Sequence, residues 1–575
     1  MPIAVVGIGC RLPGARGPEE LWDLLTGGID VTTALPEDRG GDATTALTKD
    51  RAGNAQTRGG FLEGLQDPDA FDAGFFGVRR EDVPATDPQQ RLALTVAWEA
   101  LEDAGLLPAA LSGTRTSVFL GQSHADHWEV LRAAQPGPQA SGALARLAGT
   151  EQRALLSGRL SHFFGWHGTS LTVDTGQASS LAAVHLACAS LRSGEATLAL
   201  AGGVNAALSP AVTGLFAQAG VLSPDGACRF GDARANGFVR SDGAGIVVLK
   251  PLERALADGD RIRAVLRGSA LSNDGATKEQ VTDPSATGQR LAMRWAHEDA
   301  GTSPHDVDYV EAHGTGTRID AVELAALNDV YGEGRSAGRR LLVGSVKTNI
   351  GHCEAAAGVA GLIKAVLCLE HRTVPPSLHI ETPSPKVHWE RIPLVVPTAN
   401  EPLPAYGRPA VVAVNGQSIS GANAHVILAE APPAASGAPA DDGPWPLHLS
   451  APTARGLATL LGAYVDHLAP DGPGRAHAAR DMCWTSWARR TAHAHRLIVH
   501  GSTHDELHRA MTATLAGGAG TEAAHPADGA GTDPAPLDGA CPGAPADTDR
   551  CFPAGPGTVA PLPRHPWDAG AARPL

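Results

Sequence analysis

Apolar residues over the first 430 positions recur in two alternating rhythms, and that alternation predicts the architecture. Compact apolar runs at 3–9, 116–120, 197–202, 243–249 and 262–269 have the length of strands. Between them, apolar positions return at helical spacing, at 18–25, 87–105, 178–191 and 287–300. The second of these helices carries Leu94, Ala97, Trp98 and Leu101 on one stripe. Strands alternating with helices to residue 430 predict a layered α/β fold. The pattern falls into two halves, the first ending in the Pro-rich turn just after Lys250, each with its own strand-rich core. The first strand runs into Gly7-Ile8-Gly9-Cys10-Arg11-Leu12-Pro13-Gly14, but the spacing is not G-x-G-x-x-G, and Pro13 stands where a helix would open. A structural turn is expected there, not a dinucleotide loop.

Beyond residue 430 the rhythm breaks. Residues 431–446 form a Pro/Ala/Gly linker. Residues 447–518 regain a helix at 454–468 and a strand from Arg496, predicting a small α/β domain. The Gly/Ala/Pro/Asp-rich segment 519–556 is expected to be disordered. Residues 557–575 recover apolar and aromatic character, as an extended tail that docks on a surface would.

Composition narrows the function classes. With 43% hydrophobic and 19% charged residues the chain of 575 has ample material for a core. A net charge of −15 without a basic block argues against nucleic acid or an anionic membrane as partner. The most apolar stretch, 355–369, is too short to span a bilayer and contains Lys364, so a buried helix is expected. The start of the chain lacks a signal peptide's charged region. The eight cysteines show no C-x-x-C spacing, which predicts reduced core thiols in a cytoplasmic protein. No metal site is expected: His124 and His127 lack a third ligand and are placed in a solvated polar loop, while His185 is assigned to the core.

Three segments carry chemistry. Residues 171–181, Leu-Thr-Val-Asp-Thr-Gly-Gln-Ala-Ser-Ser-Leu, predict a strand, a tight turn and a helix, with Gln177 at the turn. Helix dipole and backbone N–H groups at such a turn usually activate a nucleophile, which a carboxamide cannot be. The second segment, Tyr309-Val-Glu-Ala-His-Gly-Thr-Gly-Thr317, brings His313 to a strand end followed by small residues. In the third, Val343-Gly-Ser-Val-Lys-Thr-Asn-Ile-Gly-His352, Lys347 and His352 are placed in one loop, where the ammonium favours a neutral imidazole. A neutral histidine can donate its Nε2–H to a developing oxyanion.

These segments, with Asp87-Pro-Gln-Gln-Arg91, Gly237-Phe-Val-Arg240 and Ser420-Gly-Ala-Asn-Ala-His425, resemble modular (type I) polyketide synthase ketosynthases, in order over residues 1 to 430. Residues 447–518 are similar to the adaptor that follows such ketosynthases. The sequence Leu562-Pro-Arg-His-Pro-Trp567 looks like the linker normally found after the acyltransferase, yet neither an acyltransferase nor a carrier domain lies between. The resemblance implies a thiolase-like fold of duplicated halves in five αβαβα layers, a homodimer, and no bound cofactor. It further implies an acyl carrier protein whose phosphopantetheine arm brings the substrate, and other polyketide synthase subunits as possible partners.

Carried over by position, Gln177 takes the place of the acylated cysteine, as in the initiating "KS-Q" domains. His313 and His352 would hold a malonyl thioester oxygen, Lys347 would tune His352, and Thr315 and Thr317 would bond the pantetheine arm. The backbone N–H groups of Gln177 and Ile419 would form the other oxyanion hole. The expected activity is decarboxylation of malonyl- or methylmalonyl-carrier protein without condensation. The alternatives are docking or transfer of a carrier-bound chain, and a catalytically inactive partner of an active ketosynthase. Three stretches depart from the family pattern: Arg318-Ile-Asp-Ala-Val-Glu323, Asn415-Gly-Gln-Ser-Ile-Ser-Gly421, and Phe230-Gly-Asp232. Gln417 stands where phenylalanine is usual and Ser418 where glycine is, which changes packing and flexibility beside the pocket.

Overall fold

A computed structural model of the chain describes residues 1–36, 39, 58–134, 152–335, 338–433, 443–517, 551–552 and 555–567. In the first half, β1 (Ile3–Arg11) is followed by α1 (Pro18–Thr26), α2 (Pro88–Asp103), β2 (Thr116–Gly121), α3 (Leu155–Phe164), β3 (Ser170–Val173), α4 (Ser179–Arg192), β4 (Leu198–Asn205) and β5 (Gly243–Pro251). The second half contributes β6 (Ala264–Asn273), α5 (Ala286–Ala300), β7 (Tyr309–Glu311), α6 (Asp320–Leu327), β8 (Leu341–Gly344), α7 (Ala357–His371), β9 (Val411–Gln417) and β10 (Ala422–Glu430).

Strand pairing exposes the duplication. In the order β1-β5-β4-β2-β3 the first two pairings are antiparallel and the next two parallel. The order β6-β10-β9-β7-β8 repeats that sequence of orientations. The halves meet where β1 pairs antiparallel with β6 over Ile3–Val5. With the two-residue strand Leu394–Val395 at its far edge, the described sheet has eleven strands.

Three apolar cores define the layers. One lies under α2 and α3, with Leu94, Ala97, Trp98, Leu101 and Leu160. A central one holds α4 and α7, and a third joins Met293 of α5 to Leu324 and Leu327 of α6. Helices thus cover both outer faces and fill the space between the halves, as the thiolase-like expectation requires. Helix α7 is buried on all sides, and its Lys364 ammonium meets the Glu311 carboxylate at 2.9 Å. No helix among the described residues is long and apolar enough to cross a membrane.

The structure corrects the expectation at Gly7 and Gly9. Both stay in β1, which continues to Arg11, and the turn follows at Leu12–Ala15, with Gly14 left-handed (φ 70°). Helix α2 lies so close that a Cβ on Gly7 would come 2.3 Å from the Ala100 carbonyl oxygen, and one on Gly9 2.3 Å from that of Val96. The glycines therefore serve strand–helix approach.

After residue 443, β11 (Trp445–Ala451) pairs antiparallel with β12 (His495–Gly501), and α8 (Ala454–His467), α9 (Ala479–Ala488) and α10 (His504–Ala516) pack on them. Their core includes Leu449, Leu461, Trp484 and Trp487, and also Phe552, Val559 and Leu562 from the C-terminal segment. Most of the segment expected to be disordered, 519–556, lies outside the described residues, as does Cys541; the other seven cysteines are buried.

Arg564, His565 and Trp567 pack on this chain's own first half. The Trp567 ring stacks on Phe76 at 5.2 Å and meets Phe75 edge-on, while its Nε1–H donates to Glu99 at 2.7 Å. The His565 backbone N–H donates to Glu102 at 3.0 Å, and Arg564 pairs with Glu19. Trp567→Ala removes the ring and leaves Glu99 short of a donor, so a loss of roughly 3 kcal/mol is expected. Urea titration of the two proteins measures it, and equal midpoints would mean the tail contributes nothing to stability.

Candidate active site

The turn at 174–177 is built by its own small residues. Gly176 is left-handed (φ 63°), and a Cβ there would strike the Ser418 hydroxyl at 2.2 Å. The Ser179 hydroxyl donates to the Gly176 carbonyl and accepts the Thr175 N–H at 2.9 Å, tying the turn to the first residue of α4. Gln177 is consequently held half-buried at the N-terminal end of that helix.

The Gln177 amide is not loose. Its Oε1 accepts the Ile419 N–H at 3.3 Å and the Ser418 hydroxyl at 3.1 Å. One of the two backbone donors expected for the hole, Ile419, is thus in place. Among the described residues the second donor to this oxygen is the Ser418 side chain, while no bond to it comes from the Gln177 N–H. Ser418 had stood out in sequence only as a lost glycine; its role as a donor needs the fold.

His313 and His352 arrive from different segments, and their rings stand 5.3 Å apart at 81°. Each is locked through Nδ1. The Gln417 N–H reaches His313 Nδ1 at 3.4 Å, and the Glu354 N–H reaches His352 Nδ1 at 3.1 Å. An Nδ1 that accepts an amide proton cannot carry one on a neutral ring, so both protons sit on Nε2. Neither Nε2–H has a protein acceptor among the described residues.

Electrostatics keep both rings neutral. Burial lowers His352 to about 3 and His313 well below 6.5, and the Lys347 ammonium pushes both further down. Lys347 is itself buried (3% exposed), and burial lowers its pKa. The structure places it in a single helical turn, Lys347–Ile350, where a loop was expected; the chain leaves that turn at Gly351 (φ 77°) and reaches His352.

Behind His352, Glu354 is fully buried and bonds the Arg240 guanidinium at 2.6 Å. It also meets His124 Nε2 at 3.2 Å, which raises the His124 pKa. The expectation of a solvated pair at His124 and His127 is therefore wrong for both. His127 opens a short helix, is 7% exposed, and its Nε2 lies 3.0 Å from the Pro84 carbonyl. Their polar neighbours in sequence conceal partners that come from distant segments. His185 is only half-buried, with its Nδ1 3.0 Å from the Ser269 hydroxyl. No group of three or more potential metal ligands occurs among the described residues.

The loop after His313 is held by the departed segment 318–323. Glu323 accepts the His313 and Gly314 N–H groups at 2.7 and 2.9 Å, and Asp320 accepts the Thr315 and Gly316 N–H groups at 3.2 and 3.3 Å. Thr315 and Thr317 share a hydroxyl–hydroxyl bond of 2.9 Å at the loop's far end. Phe230 is fully buried, its ring 2.9 Å from where a Gly314 Cβ would be, so the displaced aromatic supports this loop from below.

Comparison with known proteins agrees with this geometry. Residues 1–255 match the β-ketoacyl synthase N-terminal domain, 263–381 its C-terminal domain, and 383–496 the ketoacyl-synthetase C-terminal extension. Polyketide synthase GfsA of Streptomyces halstedii is 43% identical over 540 residues, and erythronolide synthase EryA2 of Saccharopolyspora erythraea 41% over 534. Both alignments cover 91% of this chain, which spans only 7% and 14% of those two proteins. Among solved structures, the oxazolomycin ketosynthase domain OzmH KS7 of Streptomyces albus JA3453 superposes with a TM-score of 0.84 at 34% identity, covering 98% of this chain and 97% of that one. The ketosynthase from module 6 of the Bacillus subtilis 168 bacillaene synthase gives 0.80 at 32%, covering 90% and 85%. On this combined ground of sequence, fold and extension, the chain belongs to the β-ketoacyl synthase family, among the ketosynthases of modular polyketide synthases.

Proposed function

We propose that this site decarboxylates a malonyl or methylmalonyl thioester carried on the phosphopantetheine arm of an acyl carrier protein, and does not condense it with a second acyl group. The observation that carries the reading is the pair of neutral imidazoles, each with Nδ1 occupied and Nε2–H free, close to a glutamine whose amide oxygen already accepts from Ile419 and Ser418. Condensation needs a nucleophile to take up an acyl group, and a carboxamide supplies none. Decarboxylation needs only a sink for the electrons of the breaking C–C bond. They move into the thioester carbonyl as carbon dioxide leaves, and the resulting enolate oxygen receives the His313 and His352 protons as hydrogen bonds. Protonation of the enolate carbon then gives an acetyl or propionyl thioester. Gln177 imitates an acylated side chain, Lys347 keeps the imidazoles neutral, and Thr315 and Thr317 bond the pantetheine arm.

The dimer implied by the resemblance has an edge available in β3, which ends the sheet and exposes 45% of Leu171. Mass spectrometry of malonyl- and methylmalonyl-carrier protein after incubation tests the activity, and product at the background rate overturns it. Gln177→Cys is expected to gain self-acylation by acyl thioesters while slowing net release of the decarboxylated product. A variant that stays unmodified would show that more than the nucleophile separates this site from a condensing one.

A further inference from the structure

Behind His313 runs a buried chain of side chains that no part of the proposed chemistry uses. The Thr302 hydroxyl lies 2.9 Å from His297 Nδ1, and His297 Nε2 lies 3.2 Å from the Tyr331 hydroxyl. That hydroxyl is 2.7 Å from His425 Nε2, whose ring meets Asn415 Oδ1 through Nδ1 at 2.5 Å. Asn415 Nδ2 then donates to Glu323 at 3.0 Å, the carboxylate that holds the His313 and Gly314 backbone. The links come from α5, the turn after α6, β10, β9 and α6, and His297, Tyr331, His425, Asn415 and Glu323 are all nine-tenths buried or more.

The direction of every bond follows from its last member. Both Glu323 oxygens take N–H donors, so the group accepts as a carboxylate and Asn415 must turn its amide nitrogen toward it. Asn415 Oδ1 then accepts, which puts the His425 proton on Nδ1 and leaves Nε2 to accept the Tyr331 O–H. The Tyr331 oxygen in turn accepts the His297 Nε2–H, and His297 Nδ1 accepts the Thr302 O–H. Neutral rings are a condition of this order: burial lowers His297 to about 4 and His425 well below 6.5, and raises Tyr331.

We propose that this one-way relay, Thr302–His297–Tyr331–His425–Asn415–Glu323, positions His313, so that Tyr331, His425 and Asn415 are positioning residues for a reaction they never touch. Packing alone would be content with any apolar filling of the same shape. A chain in which each donor has one acceptor instead fixes the Glu323 carboxylate in direction as well as place, and with it the strand end that carries His313. The relay puts the His425 proton on Nδ1, opposite to His313, whose proton the Gln417 N–H confines to Nε2.

Two measurements test this, and only the second rests on the decarboxylase reading. The first is ¹⁵N NMR of the unaltered chain labelled in histidine, with signals assigned through His425→Gln and His313→Gln. A His425 signal of the Nδ1–H form is expected; an Nε2–H form would reverse the relay and overturn the proposal whatever the chain catalyses. The second is Tyr331→Phe, which deletes one hydroxyl. It is expected to lower kcat for malonyl-carrier protein by roughly tenfold to a hundredfold, as small misplacements of a reacting geometry do, with KM nearly unchanged, and to shift the His313 nitrogen signals. Asn415→Asp, which keeps an acceptor for His425 but replaces the donor to Glu323 with a repelling carboxylate, is expected to lose at least as much. Wild-type kcat and unmoved His313 signals in a folded Tyr331→Phe protein would overturn the positioning role. If no form of the chain releases carbon dioxide, the His313 signals of that variant still decide it.

Discussion

His313→Ala should lower kcat for decarboxylation of malonyl-carrier protein by roughly 10²–10³-fold, the usual cost of deleting one preorganised donor to an oxyanion. The expectation rests on where the imidazole proton is. Nδ1 is taken by the Gln417 N–H, so the only proton His313 can offer is on Nε2, and burial keeps the ring from acquiring a second. Water entering the vacated space would donate too, but without fixed direction, which is why the loss stays short of complete. His352→Ala should cost a similar factor, since its Nε2–H is set in the same way by the Glu354 N–H. The double variant should lose less than the product of the two, because both donors serve one oxygen. Release of carbon dioxide and the mass of the carrier protein report the rate directly. Turnover unchanged in His313→Ala would place the chemistry elsewhere and leave the two histidines as structure.

Why these residues were visible in sequence, and others were not, has a physical cause. His313, His352 and Lys347 stand among glycines and threonines at the ends of apolar runs, where a packed interior has no use for them; local pattern is enough to mark them. The layered architecture was equally legible, because strand and helix periodicities are local. What fixes the chemistry of the site is not local. The Gln417 N–H that sets the His313 tautomer comes from 104 residues further along the chain, and the Arg240 partner of Glu354 from 114 residues earlier. His124 and His127 look solvated in sequence for the same reason: their sequence neighbours are polar, while Glu354 and Pro84 reach them across the fold. Gly7 and Gly9 look like a turn until the helix that presses on them is known. Tyr331 gives no sign at all and His425 shows only as the end of a motif, because a relay exists only once five segments are assembled.

Acid should unfold this protein well before it titrates the imidazoles of His313 and His352. Buried histidines held neutral by burial include His127, His297, His448 and His565 at about 4, His352 at about 3, and His313 and His425 well below the 6.5 of the unfolded chain. Because their folded pKa values lie below the unfolded one, the unfolded chain binds the extra protons between those limits. Their contribution to stability is therefore complete above 6.5 and lost as the pH falls toward 4. Asp87 and Asp320 act in the opposite sense, since burial raises each from 3.8 to about 7 and the folded state takes up their protons first. The lowered histidines outnumber the two carboxylates raised to about 7, so unfolding takes up protons on balance in this window. The urea midpoint should consequently fall steeply from about pH 6.5 downward, and a midpoint constant to about pH 5 would contradict the neutral assignment of these rings. Catalysis provides the complementary reading. His352 at about 3 and His313 well below 6.5 keep their Nε2–H donors in a single protonation state over the whole folded range. The kcat for decarboxylation should stay level until the fold is lost, then vanish together with it in one cooperative step. A kcat that declines with a simple titration while the protein remains folded would mean that a group other than these two imidazoles controls the rate.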